Sequence, residues 1–186
     1  MRVIAGRARG KRLKSPPGRQ VRPTPDMARE GLFAMLGERV LGCRFLDLYA
    51  GTGAVGIEAV SRGAAEVILV EKDPGIVRLL RQNLSATGMD DQARVIRGDA
   101  QRVCKTLSGR GQRFDIVFLD PPYALLDEPA VAAAREALDD RGLLVVQHPS
   151  AQAPPTPPGL QLLRTRRYGN NAFSFLAPQA GGRADV

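Results

Sequence analysis

Residues 45–59 read Phe45-Leu46-Asp47-Leu48-Tyr49-Ala50-Gly51-Thr52-Gly53-Ala54-Val55-Gly56-Ile57-Glu58-Ala59. A short apolar run ends in a glycine-rich turn, and an amphipathic helix follows. That order is the first strand–helix unit of a doubly wound sheet. Gly51, Gly53 and Gly56 have the spacing G-x-G-x-x-G, which alone is a weak signal for a dinucleotide site. Asp47 points away from a pyrophosphate-binding turn, which needs backbone N–H groups and no nearby negative charge. A carboxylate inside the strand end suits a cationic amine, or orders the loop.

The same alternation continues outward. Apolar runs predict strands near 44–48, 66–70, 93–97, 114–119 and 142–147. Helical patterns lie between them, near 54–62, 74–87, 100–107 and 128–139. Before them, Thr24-Pro25-Asp26 opens a helix to about Leu36, with Pro25 suited to its first turn. Beyond them, Pro149, Pro154, Pro155, Pro157 and Pro158 exclude a helix and leave a proline-rich connection. Two final strands near 160–168 and 171–177 form a hairpin through Gly169-Asn170. The expected fold is α/β: a mostly parallel, seven-stranded sheet with an antiparallel last strand. A small basic hairpin over 1–22 precedes the main domain at 23–178, and 179–186 reads as a frayed tail.

Four acids fall at or near predicted strand ends: Asp47, Glu71, Asp99 and Asp120. A single one reads equally well as a loop acid or a helix N-cap. Four in the same structural position point to a ligand site beyond the carboxyl ends of the strands. Glu71 lies twenty residues after Gly51, the distance at which an acid meets ribose hydroxyls in such folds. Asp120 opens Asp120-Pro121-Pro122-Tyr123, which follows the buried-strand run Phe114-Asp115-Ile116-Val117-Phe118-Leu119. The prolines fix φ and stop the strand, leaving carbonyls without a local donor. The loop therefore offers a carboxylate, a free carbonyl and an aromatic face. That set suits gripping a planar base by its exocyclic amine, although such a tetrapeptide also reads as a plain turn.

Charge is uneven. The 186-residue chain carries net +8, and residues 1–22 hold Arg2, Arg7, Arg9, Lys11, Arg12, Lys14, Arg19 and Arg22 with no acid. The remaining chain carries 19 basic and 19 acidic residues, so the whole excess sits at this end. The alternation of apolar Val3-Ile4-Ala5, turn-like Gly6 to Gly10 and Arg12-Leu13-Lys14 favours a basic hairpin over a disordered tail. Such a face tracks phosphates. Cys43, Cys104 and the lone His148 are too few and too far apart for a metal site. No run of eighteen apolar residues predicts a membrane span, and no secretory signal is legible, so cytoplasm with reduced thiols is expected.

With these residues quoted, the chain resembles the class I S-adenosylmethionine-dependent methyltransferases. In detail it is similar to the RsmD-type enzymes, which methylate the N2 amine of a guanine in small-subunit (16S) ribosomal RNA. The matching series is Met1-Arg2-Val3-Ile4-Ala5-Gly6, Gly10-Lys11-Arg12-Leu13, Arg22-Pro23-Thr24-Pro25-Asp26 and Arg29-Glu30-Gly31-Leu32-Phe33. It continues with Asp47 through Gly53, Ser61-Arg62-Gly63-Ala64 and Leu119-Asp120-Pro121-Pro122-Tyr123. The chain departs from the family pattern at Met27, Gln147 and Asn170-Asn171.

The resemblance implies a Rossmann-like fold and S-adenosyl-L-methionine as cofactor. It implies cofactor contacts from Thr24, Arg29, Asp47, Tyr49, Ala50, Gly51, Gly53, Glu71, Lys72, Asp99, Ala100 and Asp120. Asp120, Pro121, Pro122 and Tyr123 would act on the base. Arg2, Arg7, Arg9, Lys11, Arg12, Lys14 and Arg22 would bind RNA, in an assembling small subunit, with the enzyme a monomer. The tetrapeptide also fits DNA adenine-N6 or protein glutamine methylation, and the fold also fits a non-catalytic assembly factor. His148 reads as a structural or substrate-edge residue. Arg164, Arg166, Arg167 and Tyr168 read equally as more RNA surface or as charges protecting an edge strand.

Overall fold

The computed structural model describes residues 1–16 and 26–179. Arg19, Arg22, Thr24 and the expected helix cap around Pro25 lie outside the described residues, as do 180–186. Five strands run parallel: β1 (Arg44–Leu48), β2 (Glu66–Glu71), β3 (Ala93–Arg97), β4 (Phe114–Leu119) and β5 (Leu138–Pro149). β6 (Leu160–Tyr168) and β7 (Asn171–Pro178) form an antiparallel hairpin, with β7 laid against β5. The seven-stranded order is β3-β2-β1-β4-β5-β7-β6. The order reverses between β1 and β4. Open α/β sheets form a ligand crevice outside the strand ends at such a point.

The central strands β2 and β4 are apolar and buried along their interiors because both faces of the sheet are covered. On one face α1 (Asp26–Leu36), α2 (Ala54–Ser61) and α3 (Pro74–Thr87) pack Leu32, Phe33, Ile57 and Leu80 against Phe45, Leu69, Phe118 and Phe173. On the other, α4 (Ala100–Gly109) and α5 (Glu128–Glu136) pack Cys104, Leu107 and Val131 against Leu46, Val117 and Val146. Each buried leucine, isoleucine, valine or phenylalanine contributes about 1.5–3 kcal/mol. α2 is buried along its whole length. It lies so close to β2 that a Cβ on Gly56 would sit 2.6 Å from Leu69 Cδ2. Only glycine admits that approach.

The carboxyl-side half departs from the sequence reading at one joint. α5 ends at Glu136 instead of 139, and β5 begins at Leu138 instead of 142. Leu138 pairs with Phe114, and the register then slips before Ile116 pairs with Leu143. The slip accommodates the polar stretch Asp139–Gly142, whose composition resembles a helix end. Asp139 Oδ1 accepts the Arg141 N–H at 2.9 Å there.

The amino-terminal segment is a narrow hairpin closed by one bridge, Arg2 to Arg12. Val3 N–H donates to Lys11 O, and Leu13 N–H to Met1 O, both at 3.0 Å. Val3, Ala8 and Leu13 are buried in the same core cluster as α1 and α2. Arg2, Arg7, Arg9, Lys11, Arg12 and Lys14 all face solvent. The hairpin tip rests at the end of α2, where Arg7 N–H donates to Ser61 O at 2.9 Å. Its other end reaches the glycine-rich loop. Asn83 of α3 accepts Lys14 N–H at 2.8 Å and donates to both Lys14 O and Thr52 O.

Candidate active site

Two loops meet at the switch point. One follows β1 and the other follows β4. The first turns through Tyr49, the non-glycine residue with positive φ (62°) among the described residues, then Gly51 (54°) and Gly53 (82°). Left-handed backbone strains a tyrosine, and such strain concentrates at functional sites. The loop is tied down at Ala50 N–H to Val70 O, 2.9 Å, and Gly53 N–H to Ala50 O, 2.8 Å.

Carboxylates organise it. Glu71 ends β2, and its Oε2 accepts Gly51 N–H at 3.1 Å. Its Oε1 accepts Lys72 N–H at 2.8 Å and Asp73 N–H at 2.9 Å. Asp47 is buried, and its Oδ2 accepts Gly56 N–H at 2.8 Å, so it fastens the start of α2 to β1. Burial pushes the Asp47 carboxyl up to about 8, against the opposing Gly56 hydrogen bond and with the nearby charges of Asp120 and Glu71 adding to the rise. Asp99 caps α4, its Oδ1 accepting Arg102 N–H at 3.1 Å. Ala100 begins that helix and is buried, whereas the Lys72 side chain faces solvent. Tyr49 feels the charges of Asp99 and Asp127, which, after burial, raise its phenol pKa. Asp47, Glu71 and Asp120 thus share one electrostatic neighbourhood, and Asp99 acts on Tyr49 beside it.

The second loop carries Asp120. Its N–H reaches Leu48 O at 3.4 Å, joining the end of β4 to the end of β1. By surface area Asp120 is half-buried, yet its surroundings enclose it enough to push its carboxyl up to about 7. Pro121 is buried, and Pro122 and Tyr123 are exposed. The expectation of free proline carbonyls holds for one of the two. Pro122 O accepts Leu125 N–H at 2.7 Å and so closes a short 3-10 turn over Tyr123–Leu125. Pro121 O takes no backbone donor among the described residues. Tyr123 is 43% exposed, and its hydroxyl donates to Asn171 Oδ1 at 2.7 Å.

Three positions differ from, or are absent from, the sequence reading. Arg29 is fully buried, at 0% exposed. Its guanidinium donates to Arg2 O and to Asp26 Oδ1, and its Nε lies 3.8 Å from Glu58 Oε2. Its described contacts lie beneath the hairpin, and its Nε and Nη1 have no hydrogen-bond partner among the described residues. Glu58 is the second. It accepts Ile4 N–H at 2.8 Å, Ala5 N–H at 2.9 Å and Arg62 Nε–H at 2.7 Å. Its one signal in the sequence is an acid in an otherwise apolar helix. Asn171 is the third, because nothing local to it announces a partner 48 residues away. His148 is buried and turned into the sheet. Its Nδ1 donates to Pro149 O at 2.9 Å, and its Nε2 sits 2.7 Å from Ser174 Oγ, which in turn meets Thr165 Oγ1 at 2.7 Å.

The residues present fit the implied S-adenosylmethionine. A ribose and an adenine amine offer hydrogens, and acceptors remain for them. Glu71 Oε2 has taken a single N–H, and Asp99 Oδ2 has taken none among the described residues. Asp47 and Asp120 supply further negative charge for a cationic ligand as they ionise. Among the described residues no cluster could hold a metal ion, and no helix is long and apolar enough to cross a membrane.

Comparisons agree with this geometry. The family model described as conserved hypothetical protein 95 matches residues 1–177. The ribosomal RNA small subunit methyltransferase D of Escherichia coli K12 is 35% identical over 190 residues, covering 100% of this chain and 94% of that protein. Its Haemophilus influenzae counterpart is 33% identical over 173 residues, covering 91% and 89%. A solved Thermus thermophilus protein, described as hypothetical, superposes with a TM-score of 0.82 at 38% identity, covering 95% of this chain and 99% of its own. The strand-end acids, the glycine loop and the full-length match lead to one assignment: the chain belongs to the ribosomal RNA small subunit methyltransferase D family.

Proposed function

We propose that this chain is an enzyme that transfers a methyl group from S-adenosylmethionine to the N2 amine of a guanine in small-subunit ribosomal RNA. The observation that carries the reading is the Asp120-Pro121-Pro122-Tyr123 loop beside the glycine-rich loop, with Asp120 pushed up to about 7. Bound S-adenosylmethionine supplies an electrophilic methyl group on a sulfonium. The chain supplies the rest. Glu71 and Asp99 orient the nucleoside end, and Asp47 and the loop amides shape the pocket floor.

Guanine N2 is a poor nucleophile because its lone pair is delocalised into the ring. The Asp120 carboxylate and Pro121 O accept its two hydrogens, which holds the amine in line and restores electron density to it. A carboxylate with pKa near 7 is matched to take a proton at neutral pH. Asp120 therefore also receives the proton that the methylated amine sheds. Tyr123 stacks on the base, which leaves its own stack to reach the pocket. The exposed hairpin arginines and lysines hold the flanking phosphates. The substrate is RNA in an assembling small subunit, and the enzyme works as a cytoplasmic monomer. Both cysteines are buried and unpaired, in keeping with a reducing compartment.

Nucleoside analysis of small-subunit RNA from cells with and without the gene tests this reading. N2-methylguanosine present only with the gene is the expected result. Identical nucleosides in both would overturn it.

A further inference from the structure

We infer that Arg164, Arg166 and Arg167 of β6 form a second RNA-phosphate-binding tract beside the active site, separate from the amino-terminal hairpin. This rests on the RNA methylation reading and extends it to a further surface, the edge of the sheet formed by β6.

β6 is the last strand of the sheet, and Gln161 to Arg167 are all exposed. The strand carries three arginines and no acid. Four arginines elsewhere, Arg29, Arg44, Arg62 and Arg135, sit in ion pairs. No ion pair engages the three β6 guanidinium groups among the described residues. Three cations thus fall within four residues of one edge strand, with no counter-charge in an ion pair among the described residues.

The register sets where that row points. Arg164 is opposite Phe175 and Arg166 is opposite Phe173. Both phenylalanines belong to the core cluster that α1 and the hairpin cover. So these two arginines face the hairpin's side of the sheet, about 6.6 Å apart along the strand. Arg167, opposite Ala172, faces the other side. The row therefore straddles the edge.

The register also sets its distance from the chemistry. Phe173 pairs with Gln147, which follows Val146, and Val146 pairs with Leu119 just before Asp120. Arg166 is thus level with Asp120, three strand spacings or about 14 Å across the sheet. The strand ends at Tyr168, paired with Asn171, the residue that holds Tyr123. RNA flanking a base that has swung out into the pocket must run over the surface beside it. On this side of the pocket that surface is β6. The arginine fork binds phosphate in two-pronged fashion.

The test is binding of unmodified small-subunit ribosomal RNA across a range of monovalent salt. Wild type is compared with R164Q/R166Q/R167Q and with the single variant R166Q. Glutamine keeps the edge polar, and all three sites are exposed, so the fold is retained. The triple variant should bind more weakly, and the slope of log affinity against log salt should become shallower by about 2 to 3, or about 1 for R166Q. S-adenosylhomocysteine affinity should not change. An unchanged slope in either variant overturns the inference. Self-association of the triple variant with the slope intact would also overturn it, and would mean that the arginines only guard the strand edge. Failure of the underlying reading is separate: wild type would then transfer no methyl group to any RNA.

Discussion

The hydroxyl of Tyr123 donates to Asn171 Oδ1 at 2.7 Å. This bond crosses from the tetrapeptide loop to the first residue of β7 and holds an exposed ring in one attitude. The turn closed by Pro122 O and Leu125 N–H fixes the backbone beneath it.

Loss of that bond should therefore weaken RNA use without touching the cofactor. N171A and Y123F should each raise the KM for RNA several-fold, with cofactor affinity unchanged. Because they remove one shared bond, the double variant should be no worse than the poorer single variant. Additive losses would show that the two residues act separately. Steady-state kinetics with RNA varied checks this.

Asp120 should write its ionisation into the rate. Its carboxyl is pushed up to about 7 by burial. The protonated acid keeps an acceptor oxygen but loses its charge and cannot take up the proton the amine sheds, so kcat/KM should rise with pH through about 7 and level off above it. D120N keeps an acceptor oxygen but loses the charge. It should remove that inflection and slow single-turnover transfer by about 10²–10³-fold, the usual effect of deleting one preorganised electrostatic group. An unchanged single-turnover rate would contradict a charge-based role.

The same groups should shape stability in the opposite sense. Asp47 and Asp120 ionise near 3.8 when unfolded but near 8 and 7 in the native chain. Between these values the native state holds protons that the unfolded state has lost. Their contribution is complete below about pH 4 and disappears as pH rises through 7 to 8. D47N/D120N should therefore show a flatter pH dependence of the ligand-free melting temperature than wild type. Thermal unfolding at a series of pH values reads the difference.

The parts of this molecule that are legible in the sequence are those built from neighbours in the chain. The β1 strand, its glycine turn and α2 follow one another directly. Leu119 to Tyr123 likewise carries its own strand, stop and functional groups. What escapes are pairings across the fold. The burial of Arg29 against Arg2 O appears only when the hairpin is laid over α1. Asn171 gains meaning only when β7 comes to lie beside β5. The early start of β5 depends on Leu138 finding Phe114, a tertiary pairing that overrides the polar, helix-like Asp139-Asp140-Arg141.

Glu58 offers a test of how the hairpin is held. It is fully buried, with Arg29 and Arg62 as counter-charges and the Ile4 and Ala5 amides as donors. E58A strands those charges and should cost about 3–5 kcal/mol, as expected for breaking one partner of a buried pair. Amide hydrogen exchange at Ile4 and Ala5 should accelerate more than exchange in β4. Equal protection at both places would contradict the anchoring role.

The central claim is met most directly by label transfer. Tritiated S-adenosylmethionine is incubated with the enzyme and small ribosomal subunits that lack the modification, with naked RNA and DNA in parallel, followed by nucleoside analysis. The account predicts label in N2-methylguanosine of small-subunit RNA. Label in adenine or in protein, or no transfer despite bound cofactor, would contradict it.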